Sequence, residues 1–157
     1  MYPNPQAVPP LPPRPSLEQY KKRAKDLVKV CNSEDPSVLR DWITNWIQTL
    51  ARLAKPKIAF RFISDANLAG QIEQFVRSQM ADAKLSLAHA QFVLSRAHGF
   101  ESWPKFAKHL SAASRANSPI SAYEDAADAI VGGDLSRLKK LLRESPSLVR
   151  LRSTREH

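Results

Sequence analysis

Between Pro36 and Ala54 apolar residues recur with a period that suits an α-helix. Leu39, Trp42, Ile43, Trp46, Ile47, Leu50 and Leu53 fall on one broad side of a helix about 36–54. Two tryptophans four residues apart allow two readings, a stacking platform for bases or a core pair burying a large area. Core is the expectation, because aromatic side chains at helical spacing are mostly buried. Asp35 is placed to cap this helix, with Pro36 at its first position, where the missing N–H is not needed.

The same period recurs on both sides. After Ser16, whose hydroxyl can cap free amides with Gln19 as the reciprocal partner, Leu17, Tyr20, Ala24, Leu27, Val28 and Cys31 share one face. A third helix, about 66–82 and capped by Asp65, turns Leu68, Ile72, Phe75, Val76 and Met80 inward. A fourth, about 87–98 behind Ser86, does so with Leu87, Ala90, Val93, Leu94 and Ala97. Gly99 should stop it in a left-handed turn, folding Phe100 back onto the last turn. Ser102 caps a fifth helix with Pro104 in its first turn, and Trp103 and Phe106 join Leu39, Trp42, Ile43, Trp46 and Leu50 in the expected core. Lys55 to Ser64 alternates like a short strand, but no second strand is visible to pair with it, so it reads as a packed connector.

The flanks differ in character. Residues 1–15 are proline-dominated and should form a disordered, extended arm without a core. Inside it Pro9-Pro10-Leu11-Pro12-Pro13-Arg14 fits a P-x-x-P-x-R ligand, but such short matches arise by chance in proline-rich arms, so a plain spacer is the expectation. Ser111 to Ser118 is small and polar, and the linker is drawn at 114–120. Ser121 and Glu124 make a capping box for a further helix that ends at Gly132-Gly133. Asp134 then caps another, about 135–144, with Pro146 just beyond. The expected domains are therefore the arm 1–15, a helical domain 16–113, the linker 114–120 and a helix pair within 121–157. The fold class is all-α, a small helical bundle followed by a helix-turn-helix unit.

That last unit carries a family resemblance. Ala129-Ile130-Val131-Gly132-Gly133-Asp134-Leu135-Ser136-Arg137-Leu138-Lys139-Lys140-Leu141-Leu142 resembles the middle of an ankyrin repeat. The resemblance implies that Gly133 permits the tight turn between the two helices. It also implies that Leu135, Leu138, Leu141 and Leu142 form the face that stacks on a neighbouring repeat. The usual T-P-L-H start is replaced by Glu124-Asp125-Ala126-Ala127, and the closing G-A by Ser145-Pro146, as befits an atypical capping repeat. Upstream, Leu11 to Lys22 and Ala90 to Leu110, with Gly99-Phe100-Glu101-Ser102-Trp103-Pro104-Lys105 as the specific part, are similar to a helical region that precedes ankyrin repeats in bacterial proteins. The resemblance implies a non-catalytic protein-interaction module; since such units need neighbours for stability, the single helix pair either caps the upstream bundle or begins an array truncated after one unit, and the second is the expectation.

Candidate chemistry is sparse. The four histidines, His89, His98, His109 and His157, have no metal-ligand spacing, and four glycines cannot write a phosphate-cradling loop. His98 and His109 lie near helix ends, where they complement the macrodipole. Cys31, the only cysteine, lies on an apolar face and reads as a buried small hydrophobe. No catalytic residue, metal or cofactor is expected, nor a membrane span or export signal, and a cytoplasmic location follows as the default. The net charge of +9 is concentrated at the front: residues 14–61 carry 11 Lys/Arg against 5 Asp/Glu. Lys21, Lys22, Arg23, Lys25 and Lys29 form a candidate anion-contact patch, which keeps nucleic-acid binding as the alternative to a protein partner.

Overall fold

The computed structural model describes residues 8–12, 14–54, 67–80, 84–115 and 118–153. Seven α-helices and a closing 3-10 turn account for most of them, with no sheet among the described residues. The helices are α1 (Leu17–Cys31), α2 (Ser37–Leu53), α3 (Leu68–Ser78), α4 (Leu87–Ala97), α5 (Trp103–Ala113), α6 (Pro119–Gly132) and α7 (Leu135–Glu144). The 3-10 turn is Pro146–Arg150.

Local chemistry sets most of these boundaries. The Ser16 and Ser86 hydroxyls accept from Gln19 N at 3.4 Å and His89 N at 3.1 Å, each satisfying a first-turn amide. Asp35 Oδ1 accepts from both Ser37 N (2.9 Å) and Ser37 Oγ (2.8 Å), which holds its carboxyl below the ordinary range. Gly99 and Gly133 both take left-handed φ, 78° and 67°. Each closes its helix with the paired bonds of a Schellman turn. Gly99 N donates to Arg96 O and Phe100 N to Ser95 O; Gly133 N donates to Ile130 O and Asp134 N to Ala129 O.

One start differs from expectation. Ser118, not Ser121, begins α6: Ser118 Oγ accepts from Ser121 N at 3.0 Å and itself donates to Ala112 O at 2.6 Å. Pro119 explains the shift, since proline is preorganised for a first helical position. The loop between α5 and α6 is correspondingly shorter than 114–120. Ser102 sits at the head of α5 without making a side-chain cap bond. The third helix is shorter than 66–82, and its expected cap Asp65, like the connector at 55–64, lies outside the described residues.

Helices α1 to α5 share one core. α1 packs against α2, α4 and α5, while α3 bridges α2 and α4. Leu39, Ile43, Trp46, Leu50 and Phe106 are buried in it, and Trp42 and Trp103 pack against its edge half-buried. Leu53 and Leu87, expected inside, are exposed, each lying at the end of its helix. Asn32 ties α1 to the start of α4, accepting from Leu85 N at 3.1 Å. Glu73 on α3 joins Arg40 of α2 and Arg77 of its own helix, both at 2.8 Å, and these partners hold its carboxyl below the usual glutamate range. α6 packs on α5, and α7 packs on α6 and on the 3-10 turn.

Candidate functional site

Two places concentrate the chemistry that could recognise another molecule. The first surrounds His98, the residue before the Gly99 turn. The Schellman turn leaves the imidazole inside the bundle rather than at its surface, and His98 is fully buried. Its Nε2 lies 2.9 Å from the Tyr20 hydroxyl and its Nδ1 lies 3.1 Å from the Pro9 carbonyl. A carbonyl can only accept, so the network assigns the hydrogen to Nδ1, and in the neutral ring Nε2 accepts from Tyr20. Around the imidazole stand Phe106, stacked at 5.3 Å between centroids, with Tyr20 and Trp46 edge-on at 5.3 and 5.7 Å. Trp46 is 2% exposed, and its Nε1 has no hydrogen-bond partner among the described residues. The Arg23 guanidinium lies 5.7 Å over its ring. Burial lowers the Arg23 pKa from its ordinary value, against the opposing pull of Tyr20 and Asp26.

The arm is therefore docked in part, where a disordered segment was expected. Pro9 and Pro15 are buried and Leu11 packs on the core. A histidine expected to complement a helix dipole instead fixes a backbone carbonyl 89 residues earlier. His109 departs in the same way: it is buried, 4.8 Å from Phe100 between ring centroids, with Nε2 3.5 Å from Glu124 Oε1 across the α5–α6 junction. Cys31 is buried as expected, and burial pushes its thiol up to about 11, far from a nucleophile's range. No group of three or more His, Cys, Asp or Glu among the described residues is placed to hold a metal ion.

The second place is the outer side of the α6–α7 pair. Gly133 makes the inter-helix turn, yet no residue of α7 is buried. Leu138, Leu141 and Leu142 are half-buried, while Leu135, assigned to the same face, is 67% exposed. Leu148, within the 3-10 turn, is buried, but Val149 is 73% exposed and Leu151, Ile130 and Val131 are exposed as well. Arg137 spans the hairpin to Asp125 at 3.0 Å.

The basic residues at the front do not share one environment. Lys21 pairs with Glu18 at 2.7 Å and Arg23 lies over Trp46, whereas Lys22, Lys25 and Lys29 are exposed. Arg40 is engaged by Glu73, and Lys55 and Lys57 lie outside the described residues. No helix among the described residues is long and apolar enough to cross a membrane. Comparison of the chain with protein-family models, with curated proteins and with solved structures returns no match in any of the three.

Proposed function

We propose that the chain is a non-catalytic protein-interaction module in which a five-helix bundle carries an ankyrin-type helix pair, and that the outer face of this pair receives a further protein unit. The observation that supports this reading is the exposure of Leu135, Ile130, Val131, Val149 and Leu151 beside a leucine stripe that α6 covers only in part. Exposed apolar surface, where it forms one patch, is an association site by default. In repeat architectures such faces are completed by the next unit, and the interface stabilises both sides. The bundle supplies the fixed end, through α5 on α6 and His109 beside Glu124.

The test is a chimera in which a consensus ankyrin unit is fused after residue 153. Stacking should raise hydrogen-exchange protection across α6 and α7, and Leu135→Glu should abolish the gain. Unchanged protection in the fused chain would reject the stacking face. The alternative, nucleic-acid binding, rests on Lys22, Lys25, Lys29 and Arg52 among the described residues of the first two helices once Lys21, Arg23 and Arg40 are engaged by other groups. A few phosphate contacts give weak, salt-sensitive binding. Sequence-selective binding that survives 200 mM salt, about the level where such contacts fail, would reverse the order of the two readings.

A further inference from the structure

Residues 8–12 belong to no helix, and proline at positions 9, 10 and 12 removes three of their backbone donors. A segment of this kind offers a partner mainly proline rings, carbonyl oxygens and the Leu11 side chain. The bundle meets all three. The Pro9 carbonyl is taken by His98 Nδ1 at 3.1 Å, Pro9 is buried, and Leu11 packs on the core. The floor around His98 consists of Tyr20, Trp46 and Phe106. Aromatic side chains interspersed with N–H donors are what grooves for proline-rich peptides are made of. The Trp46 ring lies 5.7 Å from that of His98, and its Nε1–H, buried without a partner among the described residues, is not used by the docked arm.

We propose that the His98–Trp46 floor is a binding site for extended, proline-rich peptide, and that residues 9–12 are its ligand in cis. The P-x-x-P part of the motif, Pro9 to Pro12, then has its groove within the same chain, and is withheld from other proline-binding domains while it is docked. The site accepts such a segment from another molecule when the arm is released. This inference stands apart from the stacking face on α6–α7 and survives its failure.

Tethering sets the scale of the effect. A ligand on a short linker has an effective concentration on the order of 1 mM, so a free peptide of about 100 µM intrinsic affinity competes about tenfold less well against the docked arm than against an empty groove. The experiment uses the full chain with Pro9→Asp and Leu11→Asp, which puts charged groups in place of the buried Pro9 ring and the Leu11 side chain and leaves every helix untouched. A synthetic peptide of residues 1–15 is titrated calorimetrically into this variant and into the wild-type chain, with circular dichroism on both. The peptide should bind the variant at least about tenfold more tightly than the wild type, and a peptide carrying the same two substitutions should bind neither. A variant that keeps its helical signal but ignores the peptide at about 1 mM, the tether's own concentration, overturns the proposal. So does a variant that loses its helical signal, because the arm would then be part of the core and not an exchangeable ligand.

Discussion

Trp46 offers a way to separate ring packing from hydrogen bonding within one side chain. Its ring is 2% exposed and lies against Trp42 (5.6 Å) and His98 (5.7 Å), under the Arg23 guanidinium. Truncation to alanine removes all of these contacts and leaves a cavity, and large aromatic truncations cost about 3–5 kcal/mol. Loss of the Arg23 contact adds about 0.5–1 kcal/mol. Trp46→Phe behaves differently. The smaller ring gives up about 1 kcal/mol of packing, but it also deletes an N–H that is buried without a partner among the described residues. Removing an unsatisfied buried donor regains about 1–3 kcal/mol. The second effect equals or exceeds the first, so Trp46→Phe should range from neutral to about 2 kcal/mol more stable than wild type. Urea denaturation followed at 222 nm measures both, with an unchanged slope confirming that the folded and unfolded states are comparable. A Trp46→Phe cost approaching that of Trp46→Ala would refute the assignment of an idle N–H. A Trp46→Ala cost below about 1 kcal/mol would refute the core placement altogether.

Three further outcomes follow. Because its arginine partners depress the Glu73 pKa in the fold, Glu73 contributes stability above the unfolded glutamate pKa that is lost as pH falls through the folded value; Glu73→Gln should therefore lower stability at neutral pH and flatten the acid limb of a stability–pH curve. Cys31, with its thiol raised to about 11, should resist alkylation at pH 8 in the native chain and react on unfolding; its raised pKa favours the fold below the unfolded value, a contribution lost as pH rises towards 11. The exposed apolar tail face should drive weak self-association, so sedimentation velocity should show a concentration-dependent shift that Leu135→Glu removes.

The helices were legible in the sequence because their signals are local. Ser16, Ser86 and Asp134 cap where their spacing to the apolar stripes said they would, and Gly99 and Gly133 take the left-handed turns that only glycine adopts easily. Where two local signals compete, the earlier one wins: Ser121-x-x-Glu124 fits a capping box, but Ser118-Pro119 one turn earlier is the stronger start. The His98 cluster was not legible, because it joins Pro9, Tyr20 and His98 across 89 and 78 residues. One signal did point there. A histidine between an apolar helix and a glycine turn followed by phenylalanine is drawn inward when that phenylalanine folds back. On α7 the leucine stripe was visible, but its exposure depends on what packs against it, which spacing along one helix does not encode.

Native-state hydrogen exchange on the monomeric chain tests the open-face account most directly. α2 is buried on the bundle core through Leu39, Ile43, Trp46 and Leu50, whereas α7 buries no residue and is held by α6 and the 3-10 turn. Protection should approach the global unfolding free energy in residues 37–53 and fall well short of it in 135–144, with α6 between them. Equal protection in 135–144 and 37–53, at a concentration where sedimentation shows only monomer, would mean that the helix pair is complete as it stands and has no face waiting for a partner.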